Sequence, residues 1–447
     1  MNIIAIDCGA SFIKAAFFED KKLVKQLKQE APLGNNQDIF DVSKIVGLEK
    51  MVRDIVAELS EDIDEAVISI SNEMHGFILA YPDGTPYTGY ISWQTELADK
   101  DEIWKYLNFE LGEKNAAETI RQTGMPIRSG LPSSNLFWMR ENGKLPDEQL
   151  FFYTLGDYLI RVITECEPIC HPTNAAATGL YSLEKEDWNK EYIQLLVGGQ
   201  IVFPRIGQDE IIYKAGKISY RVKPAIGDQQ AALLGSGFRK STDLSFNIGT
   251  GAQVSRVIKN IEFGNYQVRP YFFDSYIKTI PHIPAGRALN VYYRFFKSIL
   301  ELIDPVIDDG KIWEMMKKVV NTELVKMTEN SVQCDLSFFE NAITNNKVGC
   351  IENIGECNFT FETLVNSVFY EMADNFVTMA RRLDSDKGSP VDAIIFSGGM
   401  SKQWDVLRNL IVKEFPIDTL VILSENDTLH GCCYYALMEN EDEGILW

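Results

Sequence analysis

A carboxylate, Asp228, lies between a glycine and two glutamines at the head of an apolar, helix-favouring run, 227–235. From such a position an aspartate can project into a cleft and take the proton of a substrate hydroxyl, which is general-base chemistry. An aspartate at a helix start also serves as an N-cap, because its oxygens accept backbone N–H groups. We therefore predict that Asp228 caps a helix, and a catalytic role for it depends on phosphate-binding segments elsewhere in the chain.

A second carboxylate, Asp7, directly follows an apolar stretch, 3–6, and opens a tight turn that ends at residue 10. A charged group beside a buried strand needs partners. A metal ion and backbone amides would supply them, so Asp7 is a candidate metal ligand. Lys14 lies in the next apolar stretch and could bring a cation to the same turn, although a lysine there can equally be a solvated side chain.

Glycine turns follow two further apolar stretches, as Gly249-Thr250-Gly251 and as Gly398-Gly399. Glycine permits positive φ and close backbone approach, which a phosphate-cradling turn requires. A turn between a strand and a helix can also use glycine for packing alone, so the pair at 398 and 399 is a weak signal by itself.

Hydrophobic patterning predicts the elements that must position these residues. Strand-turn-strand patterns at 3–18 and 244–258 echo each other and indicate two related halves. A strand at 66–71 ends in a polar break at 72–76, where open α/β sheets tend to bind ligands. The other predicted elements are helical structure through 96–163, helices at 361–383 and 401–414, strands at 391–396 and 420–423, and a last helix from about residue 428.

Composition narrows the class of protein. A chain of 447 residues that is 45% hydrophobic can fill two cores, so we expect two domains with a cleft between them. The net charge of −21 repels nucleic acid and anionic lipid. The short apolar start and the absence of a run near 20 residues argue against a signal peptide and a membrane span, so we expect a soluble, cytoplasmic protein. The eight cysteines are expected to be mostly buried thiols, and Cys166, Cys170 and His171 lack a second ligand pair for zinc.

Six motifs, each weak alone, occur in one order along the chain. They are Asp7-Cys8-Gly9-Ala10-Ser11 with Lys14, Glu73-Met74-His75-Gly76, Ile91-Ser92-Trp93, Gly227-Asp228, Gly249-Thr250-Gly251 and Ser397-Gly398-Gly399. In this order they resemble the FGGY family of carbohydrate kinases. The resemblance implies an α/β protein of two actin-like (ribonuclease H-like) ATPase domains with an interdomain cleft. It places sugar binding and the phosphate hairpin in 1–240 and nucleotide binding in 241–447.

The resemblance also implies roles for individual residues. Asp228 would be the catalytic base, and Asp7 would lie near Mg²⁺ and the transferred phosphate of ATP. The nucleotide would be bound by Ser11, Lys14, Gly249, Thr250, Gly286, Gly398 and Gly399, and the sugar by Met74, His75, Trp93 and Gln229. The residues alone leave alternatives, because His75 can be a satisfied structural histidine and Trp93 can fill core space.

Finer similarities favour a ketose kinase of the sedoheptulose type. Stretches at 174–179, 188–189, 268–272 and 282–290 look most like sedoheptulokinase, while Met-His-Gly is shared with xylulose kinases. A pentulose (xylulose or ribulose) or deoxyketose kinase is the alternative. The sequence does not give the sugar, the pathway or the oligomeric state, and it allows a homodimer.

Two departures from the family pattern leave a non-enzymatic alternative. Ala10 stands where most members have threonine, which removes a hydroxyl from the phosphate turn, and cysteines occupy 432 and 433 where small residues are usual. These changes put nucleotide preference in doubt. A catalytically weak sugar-binding regulatory protein that keeps the kinase fold is the alternative from another class.

Overall fold

A computed structural model of the chain describes residues 1–33, 38–320, 331–344, 347–384, 390–424 and 428–438. Within these ranges the chain forms two compact units. Unit 1 comprises Met1–Gly237, Lys259–Tyr276 and Asn426–Trp447, and unit 2 comprises Phe238–Ile258 and Ile277–Glu425, in both cases as far as the residues are described. Both units combine a sheet with helices, so the expected mixed α/β class is confirmed.

Strands and helices alternate along most of the chain. The strands are β1 (Asn2–Cys8), β2 (Phe12–Glu19), β3 (Lys22–Glu30), β4 (Glu65–Asn72), β5 (Phe77–Ala80), β6 (Leu150–Thr154), β7 (Tyr181–Ser182), β8 (Asp187–Trp188), β9 (Ile201–Val202), β10 (Ile211–Ala215), β11 (Ile218–Val222), β12 (Ile226–Gly227), β13 (Asp243–Ile248), β14 (Ala252–Ile258), β15 (Gln267–Pro270), β16 (Tyr276–Ile283), β17 (Gln333–Cys334), β18 (Ile351–Glu352), β19 (Ala393–Ser397) and β20 (Leu420–Leu423). The helices are α1 (Ser43–Leu59), α2 (Lys100–Leu111), α3 (Glu113–Gln122), α4 (Pro132–Glu141), α5 (Leu155–Thr164), α6 (Pro172–Ala176), α7 (Lys190–Leu196), α8 (Asp228–Gly235), α9 (Gly286–Leu300), α10 (Asp309–Val319), α11 (Phe361–Leu383), α12 (Gly399–Gln403), α13 (Asp405–Val412) and α14 (Thr428–Leu437).

The main sheet of unit 1 has the order β10-β11-β4-β1-β2-β3, with β12 pairing to β4. Strands β1 and β2 form the predicted antiparallel hairpin, in which Asp7 lies opposite Lys14. Strand β4 runs parallel to β1, and β12 runs parallel to β4. Both β1 and β4 are buried almost throughout, which explains their continuous apolar sequences, since a strand covered on both faces does not alternate.

Helices cover this sheet and complete the core. Side chains of α1 and α5 join those of β1, β2 and β4 in one hydrophobic cluster, while α14 packs against β1 and α8. No helix in the described ranges has both the length and the apolar run that a bilayer crossing requires.

Unit 2 repeats the hairpin-first arrangement. Its strands follow the order β16-β14-β13-β19-β20, and β13 pairs antiparallel with β14 and parallel with β19. The rings of Phe246, Phe376 and Phe396 pack together where α11 meets this sheet. The predicted turn between β13 and β14 and the bounds predicted for α11 are confirmed.

Two local predictions were wrong. The span 96–163, expected to be helical, contains β6, because a five-residue apolar run does not reveal by periodicity whether it is a strand or part of a helix. The helix expected over 401–414 is divided into α12 and α13 at Trp404, whose backbone is extended in φ (−125°) and whose side chain is buried. No glycine or proline marks that division.

Candidate active site

Three carboxylates meet at one edge of the unit 1 sheet, which we call the acidic edge (Asp7, Glu73 and Asp228). Asp7 lies near the end of β1, Glu73 directly follows β4, and Asp228 directly follows β12. The parallel register aligns Asp7 with Ser71 on β4 and aligns Gly227 with Asn72. The carboxyl ends of these three strands therefore lie together, as expected for a ligand site in an open α/β sheet.

Asp7 is buried, with 6% of its surface exposed, and other side chains satisfy it. One oxygen accepts a hydrogen bond from the Ser71 hydroxyl at 3.0 Å. The other accepts hydrogen bonds from the Thr428 hydroxyl at 2.8 Å and from the Lys14 ammonium at 3.4 Å. Two hydroxyls and a cation thus supply the partners that a carboxylate beside a buried strand needs, and Lys14 is a half-buried ion-pair partner. Ser11 is exposed in the turn between β1 and β2.

Asp228 is the first residue of α8, and Gly227 is its N-cap. The prediction that Asp228 is the N-cap was wrong by one position, because pairing of Gly227 with Asn72 keeps the glycine extended and delays the helix. A Cβ there would lie 2.6 Å from the Gln230 side-chain oxygen and 2.7 Å from the Met74 sulfur, so both side chains would have to shift to admit a larger residue. One carboxylate oxygen of Asp228 accepts the Gln229 N–H at 2.7 Å.

The surroundings of Asp228 at the acidic edge shift its pKa. Burial raises its pKa to about 7, and the charges of Asp7 and Glu73 add to the rise, while the Gln229 N–H and the positive charge of Arg269 oppose it. A carboxylate with a pKa near neutrality is suited to exchange protons at physiological pH.

Glu73 accepts hydrogen bonds from two aromatic side chains. Its Oε1 accepts the Trp93 indole N–H at 2.8 Å, and its Oε2 accepts the Tyr90 hydroxyl at 3.0 Å. Burial raises the pKa of Glu73, and these two hydrogen bonds limit the rise. Trp93 is 41% exposed, so the alternative that it fills core space was wrong.

A second group, which we call the Arg269 cluster, consists of Met74, His75, Gln229 and Gln267 around the guanidinium of Arg269. Arg269 lies on β15 and is only 4% exposed. It contacts three of the four residues expected to bind sugar. Sequence reasoning did not select Arg269 as a site residue, although a charged residue between valine and proline within a strand is a signal of a buried polar role.

Unit 2 holds four of the five expected nucleotide residues of that unit around one cavity of about 700 Å³. Its lining comprises Gly249, Thr250, Gly286, Leu289, Asn290, Trp313, Lys317, Gly399, Met400, Gln403 and Trp404. The turn after β13 is fixed to the start of α9, because the N–H groups of Gly286 and Arg287 donate to the carbonyls of Gly249 and Thr250, both at 3.1 Å. The cavity therefore combines a glycine turn, two helix starts, a lysine and two indole rings.

The two glycines after β19 differ in whether packing requires a glycine at that position. Gly398 has φ of +89°, and a Cβ there would lie 2.5 Å from the Ile248 carbonyl oxygen, so packing alone requires glycine. A Cβ on Gly399 would meet nothing within 4 Å. The packing explanation that the sequence left open thus holds for Gly398 and does not explain Gly399.

The cysteines near the end of the chain pack inside unit 1. Cys432 and Cys433 are fully buried on α14, and the Cys432 thiol contacts the Ile6 carbonyl at 3.9 Å. They are not among the residues that line the unit 2 cavity.

Residues 2–237 match the model of a family described as "FGGY family of carbohydrate kinases, N-terminal domain". The chain belongs to the FGGY family of carbohydrate kinases. The matched range includes the acidic edge and every residue of the Arg269 cluster except Gln267 and Arg269.

Relatives of this FGGY chain include glycerol kinases. Those of Oleidesulfovibrio alaskensis and Dichelobacter nodosus are 26% and 27% identical over 273 and 270 residues, which cover 56% of this chain and 53% of each relative. The chain thus spans about half the length of the curated relatives it matches.

Solved structures confirm the fold over nearly the whole FGGY chain. A ligand-bound xylulose kinase from Lactobacillus acidophilus has a TM-score of 0.78 at 17% identity and covers 97% of this chain and 88% of its own. A Plasmodium falciparum glycerol kinase with ADP has a TM-score of 0.77 at 16% identity, with the same coverage. The predicted class, two actin-like ATPase domains, is therefore confirmed.

We expect Asp228→Asn to stabilise the folded protein more at pH 8 than at pH 4. The pKa of Asp228 is raised in the folded state, so the protonated carboxyl group stabilises the folded wild type. This stabilisation of the wild type is complete below about pH 4 and is lost as the pH rises through about 7. The difference in unfolding free energy between variant and wild type should grow by about 2 kcal/mol across that window and then level off. Urea unfolding of both proteins at several pH values measures it, and a difference that does not change with pH would contradict the shifted pKa.

Proposed function

We propose that this FGGY chain transfers the γ-phosphate of ATP to a terminal hydroxyl group of a ketose, with sedoheptulose as the first choice of substrate. The observation that carries the proposal is Asp228, a partly buried carboxylate at the carboxyl ends of parallel strands whose pKa is raised to about 7. Such a group can take the proton of a hydroxyl at neutral pH.

The other predicted residues divide into two sets by location. Met74, His75, Trp93 and Gln229 would contact the sugar, close in the structure to Asp228 and to Glu73. Lys14 and Ser11 would contact the nucleotide phosphates. ADP would be contacted by Gly249, Thr250, Gly286 and Gly399, which line the unit 2 cavity, and by Gly398, which precedes Gly399 in the chain. In this proposal 1–240 binds the sugar and carries the phosphate hairpin, and 241–447 binds the nucleotide.

Mg²⁺ fits the residues present if it arrives with ATP. The described ranges contain no group of three or more His, Cys, Asp or Glu side chains that could hold a metal ion. Mg²⁺ bound to a nucleotide does not need one, because it keeps several waters and uses one or two carboxylates in addition to phosphate oxygens. Asp7 would supply that carboxylate, and the ion would neutralise charge on the transferred phosphate.

A substrate panel tests the proposal. ADP release with MgATP is measured in the presence of sedoheptulose, xylulose, ribulose, fuculose, rhamnulose, gluconate and glycerol, with buffer alone as control. We expect one ketose to stimulate turnover most. Stimulation by glycerol or gluconate alone would replace the ketose assignment, and the absence of any stimulation would contradict kinase activity.

Ala10 favours one second candidate, a sugar-binding regulatory protein, because the alanine removes a hydroxyl from the phosphate turn. Titration calorimetry separates the two. Sugar binding with no ADP release from any member of the panel would support the regulatory protein.

A further inference from the structure

Arg269 is a buried cation whose contacts are neutral. Its Nε donates to the Gln267 side-chain oxygen at 3.2 Å, and Nη2 donates to the same oxygen at 2.5 Å. Nη1 donates to the Gln229 side-chain oxygen at 3.1 Å and approaches the Met74 sulfur at 3.8 Å, while Nη2 lies 3.4 Å from Nε2 of His75. Among the described residues Arg269 forms no ion pair with a carboxylate, although buried arginines normally have one.

The contact with His75 specifies the state of the imidazole. Nδ1 of His75 lies 2.7 Å from the Ala177 carbonyl, which can only accept, so Nδ1 carries the proton. Nε2 of the neutral ring is then an acceptor, as the Arg269 N–H requires. His75 also has a left-handed backbone, with φ of 65°, a conformation that needs support from its surroundings.

The three contacted residues come from two separate parts of unit 1. Met74 and His75 follow β4, whereas Gln229 lies in the first turn of α8, beside Asp228. One planar guanidinium bridges these parts, with Gln267 holding its other side. A guanidinium has five N–H groups in a fixed fork, so it can orient several acceptors at once.

We propose that Arg269 is the positioning residue of the sugar-binding group formed by Met74, His75 and Gln229. This inference rests on the proposed function, because it deepens the account of the same site. A lysine at 269 would keep the charge but would lose the fork, and its three donors on a flexible stem cannot hold all three side chains.

The charge of Arg269 has a separate effect on Asp228. Three charged groups act on the Asp228 carboxylate: Asp7 from β1, Glu73 from the end of β4 and Arg269 from β15. Lys14 forms an ion pair with Asp7. The two acids raise the pKa of Asp228, and Arg269 lowers it. Loss of the positive charge should therefore raise the pKa of Asp228 further.

The test compares Arg269→Lys and Arg269→Gln with Arg256→Lys. Arg256 is a matched control, because it is also a buried arginine but is paired with Asp384 in unit 2. We expect both variants at 269 to lower kcat/KM for the sugar by about 100-fold, as a small misplacement of binding groups does. KM for ATP should change little, and only Arg269→Gln should shift the pH profile to higher pH. Arg256→Lys should affect stability alone.

A nitrogen-15 spectrum of the histidines keeps the test independent of turnover. The chain has four histidines, so His75 can be assigned by substitution. We expect the Nδ1-protonated neutral form in the wild type and loss of that single form in Arg269→Lys. Normal sugar kinetics in both folded variants at 269, or an unchanged His75 signal, would overturn the inference. If the wild type itself shows no sugar-stimulated turnover, the proposed function fails, and the His75 spectrum still decides the role of Arg269.

Discussion

Asp228→Asn is expected to lower kcat by about 100- to 10,000-fold, the range that a positioned general base contributes. Asparagine keeps the size of the side chain and can still accept the Gln229 N–H, so α8 should start as before. It cannot take a proton from a hydroxyl. Sugar-stimulated ADP release measures the loss, and ATP affinity should remain close to that of the wild type.

Asp99→Asn is a suitable control for this substitution. Asp99 is an exposed N-cap of α2 and accepts the Asp101 N–H at 2.7 Å, so it tests the effect of the same chemical change at a helix start without the acidic edge. Its kcat should be that of the wild type. If Asp228→Asn retains more than a tenth of wild-type kcat, Asp228 is not the base.

Gly399→Val is expected to raise KM for ATP by about tenfold or more, equivalent to about 1.4 kcal/mol of lost binding. Gly399 lines the unit 2 cavity, and a Cβ there meets no protein atom within 4 Å. The added side chain would therefore occupy space in the cavity without straining the fold. ATP titration measures the change, and unfolding should be altered by no more than about 0.5 kcal/mol.

Two glycines serve as controls for that result. Gly199 is exposed in unit 1 and has room for a Cβ, so Gly199→Val should leave KM for ATP unchanged. Gly398→Val should destabilise unit 2, because of its positive φ and the nearby Ile248 carbonyl. If ATP binding is unaffected in Gly399→Val, the cavity is not the nucleotide site.

Local patterns in the sequence were sufficient to predict the strands and helices whose apolar pattern is strong. The hairpins β1–β2 and β13–β14 and the helix α11 are confirmed, because short apolar runs on either side of a glycine turn and a wide apolar stripe depend on neighbouring residues only. Strand β6 and the break at Trp404 were missed, because packing against other elements decides them.

In the candidate site, too, the sequence predicts individual residues but not the partners that packing brings to them. Chemistry and spacing selected Asp7, Lys14 and Asp228, and in the structure Asp7 forms an ion pair with Lys14 while its charge acts on Asp228. The partners of Asp7 could not be selected, since Thr428 is 421 residues away in the chain. Arg269 lies 40 residues from Gln229 and 194 from His75 along the chain, so only the folded chain brings the Arg269 cluster together.

The pH dependence of kcat/KM for the best sugar tests the central claim most directly, because it reports the ionisation of the base in the free enzyme. In the proposed mechanism the deprotonated form of Asp228 is the active one, and the pKa of Asp228 is raised to about 7. We predict that kcat/KM rises between pH 5 and pH 9 with a midpoint near 7, and that this rise is absent from the residual activity of Asp228→Asn. A profile that is flat over this range in the wild type, or the same rise in both proteins, would contradict the account.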